Sequence, residues 1–269
     1  MDSLFIVKSS AFEIYRHLRS TGQMRKLIPI AGKLPTPTTR PDAVFDSLLI
    51  SSTITDKSID LMIKNKAQYH ASKSCNFHLY EKSFPAGSFL QLEKQIYLAS
   101  PELTFCTLAN SLPIEKLIIF GLELCGTYTF NNDEHCVLYD CSQISNADKI
   151  TKYVKTLKRV YPGFRGIKNA GYAASFLQDY SASPQESRVY LVLGGPRKIG
   201  AFGIHGIELN KEIKLSAKAK KIAGQNIIKP DLSISKNKIA IEYDSNQFHD
   251  NEGQNIRDKN RLNALKHDK

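Results

Sequence analysis

Residues 227–250, IIKPDLSISKNKIAIEYDSNQFHD, set two apolar runs either side of a short polar turn. The pattern predicts two strands, and strands of this kind usually pack one face into a core. Yet the runs carry Asp231, Glu242 and Asp244, with His249 just beyond them. An unpaired carboxylate inside a core is expensive. Either these acids face solvent beside lysines, or something positive sits between them. Side chains alternate along a strand, so Glu242 and Asp244 share one face while Ile239, Ile241 and Tyr243 take the other. A hairpin would bring Asp231 beside Glu242. Carboxylates that close repel unless a divalent cation lies between them. Oxygen donors alone suit Mg²⁺ or Mn²⁺ rather than zinc.

Charge suggests what such an ion would serve. The formal net charge is +11. Residues 1–150 hold 15 Lys+Arg and 15 Asp+Glu, whereas residues 151–269 hold 22 and 11. A neutral half joined to a basic half predicts two domains with different tasks. The basic half suits a polyanion, nucleic acid first, although the same lysines would also make an ordinary solvated face. A divalent ion in a basic domain points to phosphodiester hydrolysis. Lys211, Lys214, Lys218, Lys220 and Lys221 cluster in sequence and are candidates for phosphate contacts. Arg257 and Arg261 lie one turn apart on an expected closing helix over 255–267. They would clamp phosphate or pair with Asp258 and Glu252 at the surface. His249 suits a general base or a phosphate donor, or a solvent-facing loop. Glu186 falls in the first turn of a helix, where the macrodipole favours an acid in any case.

Other features narrow the class. No run of about 18 apolar residues occurs, so no membrane span is expected. The N-terminus carries an early acid and lacks a basic stretch followed by an apolar one, so no secretory signal is expected. The five cysteines are odd in number and form no CxxC pair, which argues for a reduced, cytoplasmic protein without structural zinc.

Along the first half, SAFEIYRHLR (10–19) has helical spacing and KLPTPTTRP (33–41) is a loop. Residues 44–65 show no clean period. CNFHLYEKS (75–83) and LQLEKQIYLA (90–99) alternate as strands. Ser100-Pro101-Glu102 opens a helix, and a second over 114–126 ends at glycine. A basic helix spans 147–160. Thereafter SPQESRVYLVLGG (183–195) reads as a helix, GIELNKEIKLS (206–216) as a strand, and IIKPDLSIS and KIAIEYDS as two more. The order helix, strand, strand, strand, helix predicts an α/β (α+β) domain with a mixed sheet.

PDLSISKNKIAIEYDSNQFHD followed by RDKNRLNAL resembles the bacterial endonuclease-like family related to the very-short-patch-repair (Vsr) endonuclease, within the PD-(D/E)xK nuclease superfamily. The matching residues are Asp231, then Glu242, Tyr243 and Asp244, then His249, then Arg257, Asp258 and Arg261. Glu186 matches the glutamate of the Ser-Pro-x-Glu helix that opens the family's domain. The resemblance covers roughly 180–269. It implies a restriction-endonuclease-like mixed sheet flanked by helices, preceded by a smaller α+β domain. It also implies metal ligation by Glu186, Asp231 and Glu242, with Asp244 and His249 beside them in catalysis. The superfamily's lysine after the glutamate is Asp244 here, so His249 or Lys238 would contact the attacking water. The glycine that usually follows is Ser245. The family normally continues past the equivalent of Lys269 into a further strand, which implies a longer domain. More loosely, HLYEKSFPAGSFLQLEKQIYLASPELTFCTLANSLPIEKLIIFGLELCG is similar to part of the AbiEi-type antitoxin regulators.

The expected organisation is an AbiEi-like α+β region over 1–146, a helical linker over 147–180 and a Vsr-like nuclease domain over 181–269. The expected activity is Mg²⁺- or Mn²⁺-dependent cleavage of DNA. Lys214, Lys218, Lys220, Lys221, Arg257 and Arg261 would hold the nucleic acid. The alternatives are a DNA-binding antitoxin or regulator that keeps the fold without the activity, and a protein-interaction module. The oligomeric state stays open, a homodimer being one option.

Overall fold

The computed structural model describes residues 3–30, 34–37, 58–131 and 136–243, together with Asn260, Asn263, Ala264 and Lys266. The chain divides into two compact units, Met1–Asp179 and Tyr180–Lys269, both mixing helices and strands. The first unit is the larger of the two.

In the first unit, β1 (Leu4–Ile6) lies near the centre of a six-stranded mixed sheet. Its neighbours are β6 (Ile96–Ala99), parallel, and β3 (Ile59–Ile63), antiparallel. Beyond β3 runs the parallel edge strand β4 (Cys75–Leu79), and beyond β6 run β5 (Phe89–Glu93) and β2 (Ile28–Pro29). All five residues of β3 are buried, so both its faces are covered and no alternation survives in the sequence. LQLEKQIYLA is not one strand. The backbone reverses at Lys94–Gln95, with Gln95 at φ 67, and makes the β5–β6 hairpin.

Helix α1 (Lys8–Ser20) buries Ala11, Ile14, Tyr15 and Leu18, an apolar stripe at helical spacing. The hydroxyl of Ser100 accepts the Leu103 N–H and starts α2 (Pro101–Leu108), with Pro101 at its first position. Helix α3 (Ile114–Cys125) is finished by Arg19, whose guanidinium donates to the carbonyls of Glu123, Gly126 and Tyr128. A small hairpin of β7 (Thr129–Asn131) and β8 (Cys136–Leu138) follows. The helices α4 (Ala147–Val160) and α5 (Ile167–Ala174) pack on α2 and α3. Helix α4 buries Ile150, Val154 and Leu157, so the segment expected as a linker adds a helical layer to the first unit.

The second unit starts with α6 (Pro184–Gly194), capped by Ser183. Its sheet has β12 (Leu232–Ile234) in the middle, between β9 (Ile207–Leu209) and β13 (Ile239–Ile241). Both pairings are antiparallel, so among the described residues this sheet is not the mixed one expected. The rows Leu209–Leu232–Ile241 and Ile207–Ile234–Ile239 share one apolar face. GIELNKEIKLS breaks at Asn210, which has φ 48, so β9 is separate from β10 (Ile213–Lys214). IIKPDLSIS breaks at Pro230, which has no N–H for a ladder. Its first part, β11 (Ile227–Ile228), pairs with β10 instead. Between β10 and β11 stands α7 (Ala217–Ala223), capped by Ser216 and ended by Gly224 at φ 67. Ala219 packs there with Leu215, Ile228 and Ala264.

Candidate functional site

The register of the second sheet decides where the acids stand. Leu232 is opposite Ile241 on one side and Leu209 on the other. One residue further, the same registers set Asp231 between Glu242 and Asn210. The backbone holds this row. The Asn210 N–H donates to the Asp231 carbonyl at 3.0 Å, and the Tyr243 N–H donates to Asp231 Oδ2 at 2.6 Å. Asp231 is half-buried and Glu242 is exposed. Lys238 lies in the hairpin turn, at the other end of β13 from Glu242. Four residues of strand separate the two by about 13 Å, so Lys238 does not stand beside these acids.

Glu186 reaches the same row from the first turn of α6. It is 6% exposed. Its Oε2 accepts the Ala182 N–H at 2.9 Å and the Asn210 side-chain amide at 2.5 Å. The same amide also donates to the Tyr180 carbonyl at 2.9 Å. Burial raises the Glu186 carboxyl above its ordinary value, and the negative charge of Asp231 raises it further. Hydrogen bonds from Ala182, Asn210 and Ser183 oppose that rise without cancelling it. Two acids thus influence one another at one end of the sheet, with Glu242 next in the row.

Asn210 is the member of this set that sequence reasoning missed. It bridges the helix glutamate and the strand aspartate. Its signal was local: Asn is one of the few residues that tolerates φ > 0, and it sits where the strand pattern falters.

The lysines stand on the excursion that leaves the sheet at Asn210 and returns at Asp231. Lys214 is on β10, and Lys218, Lys220 and Lys221 are on α7; all four are exposed. Lys211 differs, since its ammonium is held by both Glu208 oxygens at 2.7 Å and by the Ser235 hydroxyl at 3.1 Å. Lys211 and the Ser235 hydroxyl, which donates to Glu208 Oε2 at 2.7 Å, hold the Glu208 carboxyl below its ordinary value. Asp244, His249, Arg257 and Arg261 lie outside the described residues. Among the described residues, no group of three or more His, Cys, Asp or Glu side chains is arranged to hold a metal ion. No described helix is long and apolar enough to cross a membrane.

Comparison of this chain with protein-family models, with curated proteins and with solved structures finds no match.

Proposed function

We propose that the second unit is an endonuclease-like, divalent-metal-dependent phosphodiester hydrolase acting on DNA. The observation that carries this reading is Glu186: its carboxyl is raised by burial and by Asp231, in the row that ends at Glu242. Charge repulsion held at the end of a sheet is a stored preference for a cation. The donors are all oxygen, as Mg²⁺ or Mn²⁺ requires, and Mg²⁺ commonly takes one or two carboxylates together with substrate phosphate rather than a full protein cage. Asp231 and Glu242 would hold the ion, with Glu186 behind them. When bound, it supplies positive charge at the scissile phosphate and lowers the pKa of water.

The chain's own groups do the positioning. The Tyr243 N–H fixes one oxygen of Asp231. The Asn210 amide orients Glu186. Lys214, Lys218, Lys220 and Lys221 offer ammonium groups to the DNA backbone, with Arg257 and Arg261 expected to add theirs. Asp244 and His249 keep their expected part beside the acids, His249 as proton acceptor.

One observation favours a second reading. Glu186 Oε2 already accepts two hydrogen bonds, which suits a carboxylate kept for structure. A DNA-binding regulator with an inactive nuclease fold would look like this. Incubating the full chain with supercoiled, linear and single-stranded DNA separates the two readings. The hydrolase gives cleavage in Mg²⁺ or Mn²⁺, none in EDTA, and none in Asp231→Ala. Salt-sensitive binding without cleavage, unchanged by Asp231→Ala, would contradict the hydrolase and leave the regulator.

A further inference from the structure

The first unit gathers positive charge at one place. A pocket of about 780 Å³ opens in the first unit beside the edge strand β4. That is within the span of roughly 300–1,000 Å³ usual for small-molecule sites. Lys8, Lys66, Lys82 and Arg165 line it, against the single carboxylate of Glu81. Among the described residues none of the four cations makes an ion pair. Four residues from distant parts of the chain thus line one space without a carboxylate partner among the described residues, the Lys82 ammonium lying over the Tyr161 ring at 5.6 Å.

The same walls carry aromatic faces. Tyr69 is 65% exposed and meets Phe77 edge-on, with ring centroids 6.4 Å apart. Tyr80 and Phe164 stack at 5.7 Å with planes 10° apart. Simple anion binding needs no such rings. The Tyr80–Phe164 pair is packed, Phe164 being buried, so the open ring is Tyr69; cations beside one exposed aromatic face suit a phosphate joined to a base.

The backbone spends effort to hold this arrangement. Gly166 has φ +85, and a Cβ there would lie 2.6 Å from the Asn110 nitrogen and 2.8 Å from the Ala109 carbonyl carbon. Only glycine lets the loop carrying Arg165 close against the end of α2. The Asn169 amide bonds the Ala109 carbonyl at the same contact. Lys8 itself sits at φ 54, a left-handed conformation costly for a residue with a side chain.

We propose that this pocket binds a nucleotide unit, its phosphate held by Lys82, Arg165 and their neighbours and its base stacked at Tyr69. The unit is either a free nucleotide or one residue of a single strand. The proposal is independent of the acids in the second unit.

The test is fluorescence anisotropy of a labelled single-stranded oligothymidylate with the full chain in EDTA, so that no metal-dependent step contributes. Lys82→Gln with Arg165→Gln should reduce the slope of log affinity against log salt by about 1.4. Tyr69→Ala should weaken binding by about tenfold. Lys218→Gln with Lys221→Gln, in the second unit, should leave the Tyr69→Ala effect in place. Thymidine monophosphate as competitor separates the two sources. Displacement means that a free nucleotide suffices; no displacement, with binding still dependent on Tyr69 and Arg165, means that the ligand is a strand. Three results overturn the proposal: inorganic phosphate competing as well as the nucleotide, strand binding indifferent to the first-unit substitutions, or binding of neither ligand.

Discussion

Each unit buries a carboxylate at the start of a helix, and the two carboxylates are treated in opposite ways. In the first unit Asp60, 5% exposed, faces the beginning of α1. It accepts from the Ser9 hydroxyl at 2.5 Å and the Ser10 N–H at 3.4 Å, and it pairs with His78 Nε2 at 2.7 Å. Burial alone would raise its carboxyl, but the contacts with His78, Ser9 and Ser10 outweigh that and hold it below the ordinary value. In the second unit Glu186 has neutral donors and a like charge for company, and it is held above the ordinary value. Asp60 is an acid whose needs the fold meets. Glu186 is an acid whose needs the fold leaves partly open, and that difference separates a structural carboxylate from a candidate ligand.

Breaking the satisfied acid gives the largest effect on folding. Asp60→Ala strands His78 and two serines, and should cost the first unit about 3 kcal/mol. Hydrogen exchange resolved along β3 and α1 measures it. A loss near zero would mean that the two acids are not different in kind.

The pH dependence sharpens the same contrast because its signs differ. Asp60 is lowered, so its stabilisation is present above the unfolded value, 3.8, and is lost as pH falls through the folded one. Glu186 is raised, so its contribution is complete below the unfolded value, 4.5, and is lost as pH rises through the folded one. Hydrogen exchange at a series of pH values should therefore show the first unit weakening on acidification while the Glu186 contribution moves the other way.

Smaller effects follow around Glu186. Ser183→Ala removes the cap that receives the Glu186 N–H and should cost about 1 kcal/mol, read as faster exchange at the start of α6. Glu186→Gln keeps the acceptor for Ala182 and removes the repulsion with Asp231. It should change metal-free stability by less than about 1 kcal/mol and abolish the rising-pH loss. A large destabilisation by this variant would make Glu186 a structural acid like Asp60.

The acids were legible in the sequence because strand alternation fixes faces, and the turn between the two runs fixes the pairing of Asp231 with Glu242. The capped helices α2 and α6 were legible for a similar reason, since Ser-Pro-x carries its own start signal. What escaped was set by contacts between distant segments. Strand β3 is buried on both faces, which erases its period. The break at Gln95 depends on left-handed backbone that glutamine does not announce, whereas asparagine at 210 permits such a turn without requiring it. Helix α7, with seven residues, is too short to show a stripe. The pocket of the first unit joins Lys8, Lys66, Lys82 and Arg165, which no local pattern connects.

The central claim is that the row of Asp231 and Glu242 exists for a divalent cation. Calorimetric titration of Mg²⁺ and Mn²⁺ into the full chain tests it most directly, beside Asp231→Ala combined with Glu242→Ala. The account predicts saturable heat in the natural sequence that disappears in the double variant. No heat in either protein, or the same heat in both, would contradict it.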